Sequence, residues 1–221
     1  MSKAQRPRGQ WWTADQWWGF VERMEAEPEG TAAWRLAPLV KVTTGTGLRL
    51  GEVCGLRWQD VATEAGFLTV RQQAQQVKQA INYVTPKTRS GEDRVVPVAG
   101  WVPDALRTVK ARQAAERLAF GRDWTDSGLV FTHPDGTGLM PHSVSKGFGR
   151  LVKVYGVPRL RFHDLRHIGA TILLQAGVPM PVVSRILGHS SIGITVDTYG
   201  HVVMDDQVKN AMDQALTAWS R

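Results

Sequence analysis

Arg161 to His167 reads RFHDLRH, the stretch of the chain richest in groups that could do chemistry. His163 and Arg166 are three apart, so on a helix they share one face. Further on stand His189 in LGHSS and Tyr199 in VDTYGH. An arginine holds phosphate oxygens through two parallel hydrogen bonds. Histidines move protons near neutral pH, and a tyrosine hydroxyl can act as a covalent nucleophile. Together these types suit attack on a phosphodiester. Such a site still needs a second arginine and a general acid.

The elements that would position these groups belong to an ordinary globular chain. Its 221 residues suffice for one large domain or two small ones. Lys and Arg total 27 against 20 Asp and Glu, a net +7 that favours a polyanionic partner. The single cysteine, Cys54, excludes an intrachain disulfide and fits a reducing, cytoplasmic setting. No apolar run reaches the ~20 residues of a membrane span. MSKAQRPRGQ is basic with no apolar core behind it, so residues 1–11 are expected to be a flexible basic arm rather than a signal peptide.

Thr13 with Gln16 three on predicts a capping box opening a helix that carries Trp17, Trp18, Phe20, Val21 and Met24. Its tryptophans read as core rather than as a stacking platform for bases. Thr31 to Thr44 predicts a second helix, with Pro38 as a kink or a later start. After the TGTG break, Leu48 to Leu56 predicts a short helix with Arg49 in its first turn. An arginine there opposes the helix dipole, which hints at a compensating anion. Glu52, one turn on, could orient Arg49. Gly66 to Val70, Gln75 to Thr85 and Arg94 to Val98 predict a small three-stranded antiparallel sheet. The polar loop from Pro86 to Glu92 would present Lys87 and Arg89. Helices are expected over Pro103 to Phe120, with a mixed-charge surface, and over Pro141 to Tyr155, with Lys146, Arg150 and Lys153 on one face. A helix carrying His163 and Arg166 follows, then the short helix PVVSRILG, then a turn from Thr195 that carries Tyr199. Asp205 to Trp219 predicts a closing amphipathic helix. His133 reads as a plain loop histidine.

Taken in order, TGLRLGEVCGLRWQD, PKTRSGEDRVVPV, HDLRH, LGHSS and TYGH resemble the catalytic domain of tyrosine recombinases, the phage-integrase family. The resemblance runs from about residue 12 to 219. It implies an α+β, mainly helical fold with a small antiparallel sheet, and a catalytic domain over residues 12–221. The separate N-terminal domain that clamps DNA in this family would be absent. The implied reaction is cleavage and rejoining of double-stranded DNA without metal or nucleotide cofactor. Tyr199 would attack phosphorus and form a 3′-phosphotyrosine. Arg49 and Arg166 would neutralise the phosphate oxygens, with His189 adding a hydrogen bond. His163 would be the base that helps a phenol of pKa ~10 lose its proton, and Lys87 the acid for the leaving 5′-oxygen. Glu52 would be structural support. His142, His167 and His201 receive no role. The family implies a tetramer on DNA, with the isolated domain able to be monomeric.

A type IB topoisomerase would use a similar residue set to relax DNA, and a DNA-binding module could keep the fold without catalysis. His163 and His167 as metal ligands fail on the sequence, because a zincin has glutamate after its first histidine and Asp164 stands here. The acid role of Lys87 has a direct chemical test. Lys87→Ala is expected to slow cleavage of ordinary DNA and to be rescued by a bridging 5′-sulfur, since a thiolate leaves without a proton; equal loss on both substrates would reject the role.

Overall fold

The computed structural model describes residues 12–86 and 92–203, together with Thr217. The basic arm, Lys87, Arg89 and, apart from Thr217, the expected closing helix lie outside the described residues.

The N-terminal helices form as their end signals dictate. Thr13 caps α1 (Ala14–Glu25): its hydroxyl accepts the Gln16 N–H at 3.2 Å, and the Gln16 side chain accepts the Thr13 N–H at 3.0 Å. Trp17, Phe20, Val21 and Met24 recur at helical spacing and are buried. Thr31 caps α2 (Ala32–Thr46), which runs through Pro38 and ends on a left-handed Gly47. The short α3 (Leu50–Cys54) follows, with Cys54 buried.

The sheet differs from the sequence expectation. β1 (Val61–Ala62), β2 (Phe67–Val70) and β5 (Arg94–Pro97) form a three-stranded antiparallel sheet in the order β1-β2-β5. The stretch expected as its middle strand is instead a separate hairpin, β3 (Gln73–Val77) paired with β4 (Ala80–Val84). Its turn at Lys78 and Gln79 lacks the Asn-Gly or Asp-Gly signal of a tight hairpin, and Lys78 takes φ 55° all the same. β1 is two residues long, too short to show any alternation.

The helical remainder is α4 (Val102–Phe120), α5 (Pro141–Val154), α6 (Asp164–Gln175), α7 (Met180–Leu187) and α8 (Ile192–Val203). The main core joins α1, α2, α4 and α5 through residues such as Trp17, Leu39, Leu106 and Phe148. Phe148 meets Phe20 and Phe162 edge-on, with ring centroids at 5.6 and 5.5 Å. A smaller cluster of Ala170, Leu174, Val183, Leu187 and Tyr199 joins α6, α7 and α8.

Tyr199 therefore sits on a helix, not on a turn. β-branched residues and two glycines make Ile192–Val203 a poor helix former on its own. Thr195 and Tyr199, four apart, are both fully buried, so packing of one face decides the helix. α6 is pinned to α2 in the same manner. Gly169 lies so close to the Thr44 carbonyl that a Cβ there would collide with backbone, and the Thr44 hydroxyl accepts the Trp17 indole N–H at 3.1 Å. Gly169→Ala is expected to lower folding stability by about 1–3 kcal/mol, the usual cost of overpacking, as a fall in the urea midpoint at unchanged slope.

Candidate functional site

The base of the site is a buried carboxylate. Glu52 is 1% exposed. One of its oxygens accepts the Arg49 backbone N–H at 2.8 Å and Arg94 Nη2 at 2.7 Å; the other accepts Arg49 Nη1 at 2.7 Å. Burial works to raise the Glu52 pKa, but the hydrogen bonds and charges of Arg94 and Arg49 together outweigh it and hold the carboxyl below its ordinary value. Arg49 stands just ahead of α3, and Glu52 supplies the compensating negative charge that the sequence suggested an anion might bring.

Two arginines then grip one turn. Arg49 Nη2 donates to the Gly188 carbonyl at 3.0 Å. Arg166, buried on α6, donates to the carbonyls of Gly47 and Leu187. Gly188 ends α7 at φ 63°, and Arg94 packs against it where a side chain would collide. Only glycine combines that backbone with that proximity at no steric cost. Burial and the Arg49 charge push the Arg166 pKa down to about 9, which leaves it cationic at neutral pH. Arg49 and Arg94 thus share the carboxylate of Glu52, and Arg166 feels its charge without bonding to it. Each has five N–H donors, so donors remain for an incoming anion.

The histidines and the tyrosine face this cluster. His163 is exposed at the start of α6; desolvation on its packed side and the Arg166 charge lower its pKa. His167 lies four residues on, its ring edge-on to His163 with centroids 5.2 Å apart. His167 Nδ1 is 2.6 Å from the Tyr199 hydroxyl. Burial, followed by the neighbouring His163, pushes His167 down to about 4. Burial raises Tyr199 to about 12, against a smaller pull from Arg166. His189 Nδ1 is 2.8 Å from the buried Thr195 hydroxyl, and burial followed by the Arg166 and Arg49 charges lowers it to about 4. Both low histidines are neutral at pH 7.

A cluster of arginines, histidines and a tyrosine in a mainly helical frame points to one family, and the sequence comparison decides it: a model described as the phage integrase family matches residues 11–205. The chain belongs to the phage integrase family. The tyrosine recombinase XerC-like protein of Caldanaerobacter subterraneus subsp. tengcongensis is 34% identical over 204 residues, covering 87% of this chain and 52% of that protein. Tyrosine recombinase XerA of Pyrococcus furiosus is 29% identical over 183 residues, covering 80% and 53%. The chain spans about half the length of these curated relatives. Among solved structures, the Tn1549 transposon integrase in complex with transposon right end DNA matches with a TM-score of 0.79 at 24% identity, over 98% of this chain and 69% of that one. That likeness bears on the fold: the mainly helical domain with a small antiparallel sheet is the tyrosine recombinase catalytic-domain fold.

Of the residues singled out from the family pattern, the fold brings together Arg49, Glu52, His163, Arg166, His189 and Tyr199. Lys87 lies outside the described residues. Sequence reasoning passed over Arg94 and Thr195, and left His167 without a role. Arg94 had a signal: it opens RVVPV in phase with the inward-facing Val96, an unusual place for a charge without a partner. His167 had one too, as the i+4 neighbour of His163.

Removing the carboxylate should be costly. Glu52→Gln leaves buried cationic arginines uncompensated and is expected to cost about 3–5 kcal/mol in urea unfolding, partly restored by sulfate. The pH dependence has a definite sign. The Glu52 pKa is depressed on folding, so its contribution is full above the unfolded value and is lost as pH falls through the folded one. His167 and His189 at about 4 stay neutral while their unfolded forms charge near ~6.5, so they also weaken the fold as pH falls. Stability should therefore drop steadily on acidification from neutral pH, and the Glu52→Gln protein should lose the most acidic part of that dependence.

Proposed function

We propose that the chain is the catalytic domain of a site-specific recombinase or integrase that cuts and rejoins DNA strands through a 3′-phosphotyrosine. The observation that carries this reading is the Tyr199 hydroxyl, hydrogen-bonded to a neutral histidine in the field of Arg166. A phosphodiester gains negative charge as a nucleophile adds, and preset guanidinium groups stabilise that charge without reorganising. Arg49 and Arg166 fill this role, held in place by Glu52 and by the Leu187–Gly188 backbone. His189 adds a hydrogen bond to a phosphate oxygen, with Thr195 fixing its other ring nitrogen.

In the proposed step the Tyr199 oxygen attacks phosphorus, its proton passing to a histidine, for which the family pattern points to His163. The bond from phosphorus to the 5′-oxygen breaks, and Lys87 protonates that oxygen. A 5′-hydroxyl from the same or another strand reverses the step, so the bond energy is conserved and no nucleotide cofactor is required. The net charge of +7 favours the DNA polyanion. Relatives named as recombinases support strand exchange over relaxation by a topoisomerase. Assembly as a tetramer on DNA, with the isolated domain able to stay monomeric, is part of the same proposal. No helix among the described residues is long and apolar enough to cross a membrane.

Covalent capture tests the reading. The protein is mixed in excess EDTA with random duplexes carrying bridging 5′-phosphorothiolates, denatured in SDS, and the attached DNA sequenced. An adduct with a shared sequence is expected for the wild type, and at least a 100-fold loss for Tyr199→Phe at retained DNA binding, on the scale of lost nucleophilic catalysis. Equal adduct from both proteins would remove Tyr199 as nucleophile.

A further inference from the structure

We propose that His167 is the catalytic group that takes the Tyr199 proton on cleavage and returns it on rejoining, and that His163 serves the phosphate instead. The inference rests on the transesterification reading above and assigns the proton transfer within it.

The geometry starts with the helix. His163 and His167 are one turn apart on the same face of α6, His163 at its exposed end. Tyr199 reaches them from α8 and meets the inner ring, with Nδ1 of His167 2.6 Å from its oxygen. Its ring centroid is 5.6 Å from that of His167. Tyr199 is fully buried, so bulk water is a poor alternative acceptor for its proton. A general base must lie within about 2.6–3.2 Å of the proton donor, and His167 meets that criterion in the resting protein.

The surroundings set the protonation states. His163 and Arg166 on the same helix, and Arg161 just before it, oppose a charge on His167, while Asp164 favours it. His189, in the turn between α7 and α8, feels the His167 charge as well. At neutral pH the imidazole is neutral and the phenol protonated; in the proposed tautomer, protonated on Nε2, Nδ1 accepts from the phenol. A free phenolate beside such a weak base would be steeply uphill. Transfer therefore accompanies formation of the O–P bond: the proton moves to Nδ1, the oxygen lone pair goes to phosphorus, and the incoming phosphate charge steadies the imidazolium. In the reverse direction that imidazolium is a strong acid, suited to protonate the departing Tyr199 oxygen. His163, exposed and three residues from Arg166, is then placed to hydrogen-bond the phosphate from the open side.

The test uses a duplex recovered by the covalent capture, again with a bridging 5′-sulfur so that the leaving proton does not limit the rate. Single-turnover adduct formation is followed for wild type, His167→Gln, His163→Gln and Tyr199→Phe from neutral pH towards the phenol pKa of ~10. Glutamine can accept the hydrogen bond of Tyr199 but not its proton, so positioning is retained. His167→Gln is expected to be slowed about 100-fold at neutral pH, the low end for a lost general base. Its deficit should shrink as pH rises and hydroxide takes over the proton. His163→Gln should lose a constant factor at every pH. A His167→Gln rate equal to or above wild type, or a pH-shrinking deficit on His163→Gln instead, overturns the proposal. A readout without DNA follows the His167 imidazole by NMR. Tyr199→Phe removes a hydrogen bond to the neutral ring, so the His167 pKa should rise from about 4; an unchanged titration also overturns the proposal. The failures are distinguishable. Adduct formed equally by Tyr199→Phe sinks the nucleophile assignment and this proposal with it, whereas a Tyr199-dependent adduct with no His167 effect sinks only this one.

Discussion

The carboxylate of Glu52 is the interaction on which the site depends. A buried carboxylate is expensive unless its charge is paired and its lone pairs are bonded. Here Arg94 answers from the sheet and Arg49 from the loop between α2 and α3. The pairing runs both ways, since the same charge lets two guanidinium groups sit close together and near a third. Without it, Arg49, Arg94 and Arg166 would repel one another across a partly desolvated space. With it, the site keeps an excess of positive charge over negative, which the proposed phosphodiester substrate would satisfy. The site is thus incomplete in electrostatic terms until an anion enters.

The same arginines build the frame that holds the remaining groups. Arg49 and Arg166 donate to consecutive carbonyls, those of Gly188 and Leu187, at the end of α7. Arg94 packs under the same glycine. His189 comes next in the chain, so its position follows from contacts made one and two residues earlier. α8 then returns with Thr195 on His189 and Tyr199 on His167. One helix face delivers both buried hydroxyls to both histidines. The cost of burying a tyrosine hydroxyl and a threonine hydroxyl is offset by these bonds. The small α6–α7–α8 cluster is therefore a polar site and a hydrophobic core at once.

What the sequence alone determined is the local and the chemical. The capping box at Thr13 and Gln16, the helical spacing of Trp17, Phe20 and Met24, and the i, i+3 pairing of Arg49 with Glu52 and of His163 with Arg166 depend on neighbours a turn apart. Local spacing displays such pairs directly. The order of five motifs gave the family resemblance, which the family model over residues 11–205 bears out.

Tertiary structure alone decided the relations between distant segments. It split residues 73–84 into their own hairpin, because a pairing partner is chosen across space and the Lys78 turn carried no glycine to announce it. It turned the β-branched stretch around Tyr199 into a helix, because burial of Thr195 and Tyr199 outweighs weak propensity. It brought Arg94 to Glu52 across 42 residues and Tyr199 to His167 across 32. No spacing rule reaches that far, since contacts of that separation exist only once the core has closed around them.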